Sequence, residues 1–429
     1  MIVLAAPSRP AVRGLSTGLI THSQSNGGRL CSLSLQRSLL SDSYSGKAPN
    51  FAFAFDIDGV LLRSSKPLPR ARKALSYLQS QRIPFILLTN GGGKHESERV
   101  ADLSKSLEIP LDTRLFVQSH TPFAELVGKG NDDHPPLRDK CVLVTGGDGD
   151  KCREVAEKYG FRNVITPCDI FTACPTIWPF SQNFAPYYES HARPLPKPLY
   201  DPEQHSKLET SLKVAAVFIF NDPRDWALDT QIILDLLLSN QGYLGTTSPK
   251  NNNPNLPNRG YLQDGQPPLY FSNPDLIWSA AYHLPRLGQG GFKEAFRGVW
   301  TAITGGEERG VKLNEKMCGK PHDITYAFAE KMLVVHRENL FGAEARATKL
   351  NTVYMVGDNP ESDILGANQY QSRFDTTWES ILVKSGVYKE GEPAWAPKKI
   401  VGDVGDAIQW GLKKSGWAPP DLREWEDGK

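Results

Sequence analysis

The sequence lacks any long apolar run and any excess of charge of one sign. No stretch approaches the ~18 consecutive apolar residues of a membrane-spanning helix, and the longest strongly apolar segment is VAAVFIF at 214–220. Lysine and arginine number 49 against 48 aspartate and glutamate, a formal net charge of +1. A nucleic-acid surface would need a clustered basic excess. We therefore expect neither a transmembrane segment nor a nucleic-acid partner.

Cysteine is also scarce, with six residues in a chain of 429. None forms a CxxC pair, and none stands with histidine at zinc-finger spacing. Dense disulfides belong to small secreted domains, so the sequence predicts reduced and mostly buried thiols. Hydrophobic residues make up 39% of the chain, which is enough for a sizeable core. At ~150 residues per domain, the length suggests two to three domains.

Residues 1–49 differ in composition from the remainder. They contain four arginines, one lysine and ten serines but a single acid, Asp42. A basic, serine-rich and acid-poor N-terminus is typical of a mitochondrial transit peptide, and the matrix is then the expected destination. The alternative is an N-terminal tail that carries no address. In both cases the folded region begins near residue 50.

The start of the folded region predicts a strand, a helix and a second strand. Large and small residues alternate in FAFAFDID at 51–58, which indicates a strand whose Asp56 and Asp58 leave on the same side. Apolar residues recur at helical spacing in PLPRARKALSYLQSQR at 67–82. The continuous apolar run IPFILLTN at 83–90 suits a strand buried on both faces of a parallel sheet. Together these segments predict an α/β fold.

The same alternation returns near the other end of the chain. A helix is predicted after Gly319, with Ile324, Phe328, Met332 and Val335 as its apolar stripe. Two further strands are predicted by the segments TVYMVGD and SILVKSGV. The residues between the two halves predict a second, inserted α/β unit. We divide the chain into a core domain and a cap domain, with the core at 50–91 and 301–429 and the cap at 92–300.

The cap contains two stretches that predict long surface loops. One is 175–210, which holds seven prolines, and the other is 246–268, which contains NNNPNLPN. The segment Asn273–Pro274–Asp275 is either a plain turn or a contact with the substrate or the site entrance. Glycines 91 to 93 predict a flexible link into the cap.

Polar residues stand in chain order at the ends of the predicted strands. They are Asp56 and Asp58, then Thr89, Asn90 and Gly91, then Lys320, and finally Asp358 and Asp363. Because the carboxyl ends of parallel strands converge, these residues should meet in one crevice. One carboxylate can attack phosphorus, a second can transfer protons, and Mg²⁺ can bind among the acids. Lysine and threonine can bind phosphoryl oxygens, so the set predicts phosphoryl transfer.

The segments DIDGV, LLTNG, GKP and VGDNPESD resemble, in order, the four motifs of the haloacid dehalogenase (HAD) superfamily. The place of the insert resembles the C2-capped subfamily IIA, which includes phosphoglycolate, p-nitrophenyl-phosphate and pyridoxal-phosphate phosphatases. The resemblance covers about residues 51–412 and is greatest to the mitochondrial branch related to the cat eye syndrome critical region protein. It implies a Rossmann-like core with a parallel sheet and an α/β cap of the C2 type.

The resemblance also implies a role for each polar residue. Asp56 is expected to be the nucleophile and a Mg²⁺ ligand, and Asp58 the general acid/base whose backbone carbonyl also binds the metal. Lys320 is expected to neutralise the charge of the nucleophile and the phosphoryl group. The remaining expected roles are phosphate binding by Thr89, Asn90 and Gly91, Mg²⁺ binding by Asp358, and a ligand or adjacent carboxylate in Asp363. Gly91 and Ser362 replace the asparagine and threonine that are common in these motifs.

The expected activity is Mg²⁺-dependent hydrolysis of a small phosphorylated metabolite through an aspartyl-phosphate. One alternative is a catalytically weak binding protein with the same fold. Another is an enzyme of mitochondrial glycerophospholipid metabolism. The sequence leaves the oligomeric state open, a homodimer included.

Overall fold

The computed structural model describes residues 47–63, 65–128, 130, 135–180, 182–203, 207–278 and 282–425. Most of the predicted transit peptide, residues 1–46, lies outside them. No helix in these ranges is long and apolar enough to cross a membrane. Among the same residues, five cysteines are free, two of them buried and three partly buried.

Strands and helices alternate along the described chain, as predicted for an α/β fold. The strands are β1 (Phe51–Phe55), β2 (Leu62–Arg63), β3 (Lys66–Pro67), β4 (Phe85–Leu88), β5 (Phe116–Val117), β6 (Cys141–Thr145), β7 (Asn163–Ile165), β8 (Ala216–Ile219), β9 (Leu269–Phe271), β10 (Ile277–Trp278), β11 (Arg286–Leu287), β12 (Glu315–Met317), β13 (Thr352–Gly357), β14 (Thr377–Val383) and β15 (Lys399–Val401). The α-helices are α1 (Ala71–Ser80), α2 (Glu96–Leu107), α3 (Glu125–Gly128), α4 (Lys151–Tyr159), α5 (Pro167–Ala173), α6 (Ala185–His191), α7 (Trp226–Leu238), α8 (Gln289–Thr304), α9 (Asp323–Phe341), α10 (Ala343–Ala347), α11 (Leu365–Gln369) and α12 (Val404–Lys414).

Six strands form one parallel sheet, here called the core sheet, in the order β15-β14-β13-β1-β4-β5. β1 is central and buried on both faces. Its Phe51, Phe53 and Phe55 share a cluster with residues of α1, α2 and α12. Its Ala52 and Ala54 share another with residues of α9. The alternation of large and small residues therefore reflects two helical layers packed on opposite faces of the strand.

Five strands form a second parallel sheet, the cap sheet, in the order β12-β9-β8-β6-β7. The two sheets shift the expected limits of the core and the cap. Val100, Leu103 and Leu107 of α2 belong to the core cluster and β5 joins the core sheet, so the core continues past residue 91. β12 pairs with β9 in the cap sheet, although 301–429 was assigned to the core. The apolar face of α2 explains the first shift, since it packs beneath the edge of the core sheet.

The stretch 175–210 is not a continuous loop, contrary to the prediction. It contains α6, whose Tyr188 is buried against Phe171 with ring centroids 4.8 Å apart. Arg153 ties this stretch to α5, since its guanidinium donates to both carboxylate oxygens of Asp169 at 2.8 and 2.9 Å and to the carbonyl of His191 at 3.1 Å. The many prolines concealed a helix that packs through one tyrosine.

The buried face of α9 is not the apolar stripe predicted from the sequence. Ile324 and Val335 are 42% and 43% exposed, whereas Tyr326, Ala329 and Leu333 are fully buried against the core sheet. Alanine is small enough to let the helix lie close to β1. Phe328 and Met332 of the predicted stripe are partly buried against the same cluster, so the stripe is displaced by part of a turn and not reversed.

Candidate active site

Four of the predicted residues meet at the carboxyl end of the core sheet. Asp56 follows β1 and Asp358 follows β13, while Asp363 returns to the same place from the single π-helical turn Pro360–Ile364. Lys320 arrives from the cap sheet, shortly after β12. The exposed fractions of Asp56, Asp358, Asp363 and Lys320 are 8%, 3%, 0% and 2%. Convergence of the adjacent parallel strands β1 and β13 brings Asp56 and Asp358 together, whereas Lys320 comes from the cap.

Lys320 lies between two of the carboxylates. Its Nζ is 2.6 Å from Asp56 Oδ1 and 2.7 Å from Asp363 Oδ1. The other oxygen of Asp363 accepts the backbone N–H groups of Asp358 and Asn359, each at 3.1 Å. Asp363 therefore uses both oxygens to hold the lysine and the turn after β13.

Burial and mutual repulsion shift the protonation of this group. Burial, reinforced by Asp363 and Asp358, raises the pKa of Asp56 well above its usual range, although Lys320 opposes the rise. Burial and the charge of Asp363 raise the pKa of Asp358 to about 7. Burial alone would lower the pKa of Lys320, but the attraction of Asp363 and Asp56 raises it. Three buried carboxylates with one lysine leave negative charge that a further cation would balance.

The carboxylates fit a small divalent cation. One oxygen each from Asp56, Asp358 and Asp363 lie within 4.8 Å of one another. Adjacent and opposite oxygens around octahedral Mg²⁺ are about 3 to 4 Å apart, so a small adjustment suffices. Asp358 is fixed through its Oδ2, which accepts the N–H of Val387 at 2.5 Å, and a Cβ on Gly386 would lie 1.8 Å from that oxygen. Asp56 and Asp358 could hold the ion, since each keeps a second oxygen for it.

The side chain of Asn90, which is predicted to bind phosphate, contacts the segment that carries Lys320. Its Oδ1 accepts the backbone N–H of Lys320 at 2.6 Å, and its Nδ2 donates to the carbonyl of Lys320 at 2.9 Å. The same Nδ2 donates to Asp275 Oδ1 at 3.1 Å. Asn90 therefore joins the strand end of the core to two segments of the cap, and its binding of phosphate stays a prediction.

Thr89 and Gly91 follow β4, which pairs with β1 in the core sheet. Thr89 is buried, and its Oγ1 accepts the N–H of Gly91 at 3.0 Å, which leaves the hydroxyl hydrogen for another partner. Gly91 is exposed. The phosphate-binding role of both residues stays a prediction.

Asp58 does not share the buried cluster, because β1 ends at Phe55 and the chain turns. Leu61 and Leu62 both donate their N–H groups to the carbonyl of Ile57, at 2.9 Å each, and this turn directs Asp58 outward. The side chain of Asp58 is exposed. The role of Asp58 as general acid/base stays a prediction.

Asp275 belongs to the segment that the sequence left open as a plain turn or a contact with the substrate or the site entrance. It follows β9 of the cap sheet, and its N–H donates to Asn273 Oδ1 at 2.8 Å, which closes the turn suspected from the sequence. Burial raises its pKa, and the donor Asn90 and the charge of Lys320 oppose that rise. The turn therefore contacts Asn90 of the core, which in turn binds the backbone of Lys320.

The glycine link into the cap is anchored rather than loose. The N–H of Gly93 donates to Nε2 of the buried His120 at 3.2 Å, so the ring is neutral with its hydrogen on Nδ1, which lies 2.8 Å from the hydroxyl of Tyr159. That hydroxyl donates to Glu96. Gly93 has φ 88°, and a Cβ there would lie 1.9 Å from the side-chain nitrogen of Asn221. Close approach, rather than flexibility, requires this glycine.

Comparison with known proteins agrees with the geometry. The sequence profile described as haloacid dehalogenase-like hydrolase matches residues 53–162, and the one described as HAD-hydrolase-like matches 317–407. A mitochondrial hydrolase of Saccharomyces cerevisiae is 37% identical over 380 residues, which cover 85% of this chain and 96% of that protein. The chain belongs to the haloacid dehalogenase-like hydrolases. The predicted family and its enzymatic nature are confirmed.

Two further relatives extend the comparison. A protein of Schizosaccharomyces pombe named cardiolipin synthase (CMP-forming) / mitochondrial hydrolase fusion protein is 39% identical over 375 residues. The match covers 86% of this chain, and the chain spans about half of that relative, 55% of its length. A hypothetical protein from Pyrococcus horikoshii has a solved structure with TM-score 0.51 and 16% identity, covering 84% of this chain and 99% of that one. The structural likeness confirms the predicted fold, a core with a cap.

Proposed function

We propose that this hydrolase is a Mg²⁺-dependent phosphatase that cleaves a phosphomonoester through an aspartyl-phosphate. The observation that carries the proposal is the buried cluster at the end of the core sheet. There the Nζ of Lys320 lies 2.6 Å from Asp56 and 2.7 Å from Asp363, with Asp358 beside them. A carboxylate with one oxygen fixed by a lysine and the other free is arranged to attack an electrophile.

The proposed reaction has two steps. Asp56 attacks phosphorus, the bond from phosphorus to the ester oxygen breaks, and Asp58 gives that oxygen a proton. Asp58 then takes a proton from water, the water oxygen attacks phosphorus, and the acyl-phosphate bond breaks to release phosphate and Asp56. Lys320 and the Thr89 hydroxyl stabilise the charge on the phosphoryl oxygens during both steps.

A cation is part of the proposal because the donors are those that Mg²⁺ prefers. Asp56 and Asp358 would hold it, and it would neutralise the phosphoryl charge when bound. Asp363 would act through Lys320 and the turn after β13, because both of its oxygens already have partners. Of the two expected roles of Asp363, metal ligand or adjacent carboxylate, we therefore propose the second.

The position of the cap favours a small or narrow substrate. Its Asp275 reaches Asn90 across the crevice, so the cap stands over the carboxylates and would exclude water and bulky proteins. We propose the core and the inserted cap as separate functional units, with chemistry in the core and selection in the cap.

The first experiment replaces the nucleophile. Asp56→Asn conserves volume and removes the attacking charge, so phosphate release from p-nitrophenyl phosphate should fall to below about 1% of wild type. Asp139→Asn, on an exposed cap residue, is the matched control and should keep full activity. Turnover by Asp56→Asn near the wild-type rate would exclude the aspartyl-phosphate. Wild-type protein without turnover of any phosphoester would favour the alternative of a weak binding protein.

The second experiment separates the two carboxylates after β13. Asp358→Asn should raise the Mg²⁺ concentration required for half-maximal activity. Asp363→Asn should lower kcat with a smaller change in that concentration, because it acts on Lys320. Metal-stripped enzyme should be inactive, and Ca²⁺ should not replace Mg²⁺ because it prefers longer bonds and more ligands. Full activity in EDTA would contradict the metal requirement.

We also propose that the protein acts in mitochondria, most directly in the matrix. The support is the basic, serine-rich N-terminus together with two relatives that are named mitochondrial hydrolases. A fluorescent reporter fused after residue 49 should enter mitochondria. Diffuse cytosolic fluorescence would refute the address and leave the enzymatic proposal standing.

The name of the fission yeast relative favours a second candidate for the class of substrate. It joins a cardiolipin synthase to a mitochondrial hydrolase in a single protein. Covalent fusion places two activities on one chain, which suits enzymes that handle related compounds. We therefore propose, as the second candidate, that the substrate belongs to glycerophospholipid metabolism. Assays with lysophosphatidic acid and with soluble sugar phosphates would separate the two candidates.

A further inference from the structure

The cap carries an exposed apolar hairpin beside the active site. We define the apolar hairpin as the described residues 276–278 and 282–287, in which β10 and β11 pair in antiparallel fashion. The N–H of Gly288 donates to the carbonyl of Leu276 at 2.9 Å, where the two strands meet the cap. These strands lie between β9 and α8 in the chain.

The hairpin presents large apolar side chains to solvent. Their exposed fractions are between 52% and 59%: Leu276 52%, Ile277 54%, Trp278 52%, Tyr282 53%, Leu284 52% and Leu287 59%. Contiguous apolar surface of this kind on a protein marks a place of interaction. Tryptophan and tyrosine are also the residues that favour the boundary between water and an acyl layer.

The apolar hairpin is continuous with the proposed catalytic crevice. It begins one residue after Asp275, whose side chain accepts from Asn90 at 3.1 Å, and Asn90 in turn holds Lys320. The N–H of Gly290 donates to the carbonyl of Asp275 at 3.0 Å, so both ends of the hairpin are tied to this residue. Whatever binds the hairpin lies next to the entrance of the phosphate site.

The charge around the hairpin selects its occupant. In sequence the hairpin carries one charged side chain, Arg286, and the acids that flank the hairpin have other partners: Asp275 accepts from Asn90 at 3.1 Å, and Glu294 lies 3.0 Å from Lys293. The guanidinium of Arg286 lies over the ring of Tyr282, 4.5 Å from its centroid, which keeps the positive charge at the apolar surface. A two-fold contact between the hairpins of two copies would bring two Arg286 side chains together. An anionic lipid surface complements both properties.

We propose that the apolar hairpin inserts into the surface of an anionic lipid bilayer and that the substrate is a phosphomonoester carried by a lipid headgroup. The inference about the substrate rests on the proposed function, whereas the inference about membrane binding stands on the hairpin alone. Insertion would bring the crevice to the level of the headgroups, where a lipid phosphate can reach Lys320 while its acyl chains stay in the bilayer.

The test compares variants of the full chain, because basic residues in 1–49 also bind anionic membranes. Binding is measured by sedimentation with vesicles of phosphatidylcholine and phosphatidylglycerol, and with phosphatidylcholine alone. Trp278→Ser combined with Leu284→Ser should weaken binding to the mixed vesicles by at least about tenfold, since two apolar side chains no longer leave water. Phe374→Ser, a matched control at a residue of the core that is 60% exposed, should bind as wild type does. Thermal unfolding checks that the variants are folded.

A second measurement reports on the hairpin itself. Mixed vesicles with brominated acyl chains should quench part of the tryptophan fluorescence of the wild type, and Trp278→Phe should lose that part while it still binds. Unchanged binding by the double serine variant, or unchanged quenching in Trp278→Phe, would overturn the proposal. A wild-type dimer that the double serine variant abolishes would assign the hairpin to a second copy instead.

The two proposals fail separately. Hairpin-dependent binding without any turnover of p-nitrophenyl phosphate would remove the proposed function and keep the membrane surface. Turnover of p-nitrophenyl phosphate without hairpin-dependent binding would keep the proposed function and remove the membrane surface. Faster hydrolysis of lysophosphatidic acid in mixed vesicles by the wild type than by the double serine variant, at equal rates on p-nitrophenyl phosphate, is the result expected if both hold.

Discussion

The contact between Asn90 and Asp275 can be tested by exchanging the two side chains. In the native protein the amide Nδ2 of Asn90 donates to Asp275 Oδ1 at 3.1 Å. Asn90→Asp has nearly the same shape but places a second carboxylate against the first. At 3.1 Å and an effective dielectric constant of about 20, two like charges repel by about 5 kcal/mol. The contact between core and cap, and with it the position of Lys320, should be lost.

Protonation sets a ceiling on this cost. Burial already raises the pKa of Asp275, and removal of the Asn90 donor would raise it further. The pair can take up one proton, which at pH 7 costs about 4 kcal/mol for a carboxyl of ordinary pKa and at pH 5 only about 1.5 kcal/mol. Asn90→Asp should therefore lower kcat/KM by a factor of about a hundred or more at pH 7, and by less at pH 5.

The double variant decides whether this contact causes the loss. Asn90→Asp with Asp275→Asn restores one donor and one acceptor in exchanged positions, while the carbonyl of Lys320 faces an oxygen in both Asn90→Asp backgrounds. The exchange should recover at least about tenfold in kcat/KM over Asn90→Asp alone, measured with p-nitrophenyl phosphate and Mg²⁺. If the double variant equals the product of the two single variants, the contact carries no coupling energy and the reasoning is refuted.

Three further predictions concern stability. Arg153→Met leaves the carboxylate of Asp169 buried without its cation, so the free energy of unfolding in urea should fall by about 3 to 5 kcal/mol. The control Arg162→Met removes an exposed ion pair and should change the free energy of unfolding by less than about 1 kcal/mol. Burial lowers the pKa of His120 to about 4, below its unfolded value, so the stability that the neutral ring contributes is present above pH 6.5 and is lost as the pH falls through 4. The wild type should lose free energy of unfolding between pH 7 and pH 4.5, and His120→Gln should lose about 3 kcal/mol less over the same range. Gly93→Ala should cost about 2 kcal/mol in thermal unfolding, because a Cβ at φ 88° meets the Asn221 side chain, and a melting temperature equal to the wild type would contradict this.

The general position of the site could be predicted because it follows from topology. Residues after consecutive buried strands of a parallel sheet meet at one edge, and that rule alone brings Asp56 and Asp358 together. Lys320 was found by its place in the series of motifs, yet the structure shows it after a strand of the cap sheet. Its position beside Asp56 depends on contacts between the cap and the core, which no local pattern in the sequence records.

The individual side-chain roles were harder to predict, because they depend on where each strand stops. Period-two alternation placed Asp56 and Asp58 on one side, but the turn after Phe55 separates a buried carboxylate from an exposed one. The role of Asn90 depends on its contact with Lys320, which is distant in sequence. A polar side chain at a strand end looks the same in sequence whether it binds ligand or backbone.

Lys320 is held from both domains: its backbone continues from β12 of the cap sheet, and Asn90 of the core binds that backbone. Lys320 is held at its backbone by Asn90 of the core and at its Nζ by Asp56 and Asp363, while Asn90 is held by Asp275 of the cap. Loss of the cap contact therefore removes one of the groups that orient Asn90, and the lysine loses its guide before it loses its charge partners. We therefore expect the contact between core and cap and the position of the Lys320 side chain to depend on each other. The apolar hairpin begins one residue after Asp275, so we expect a ligand of the hairpin to affect this contact.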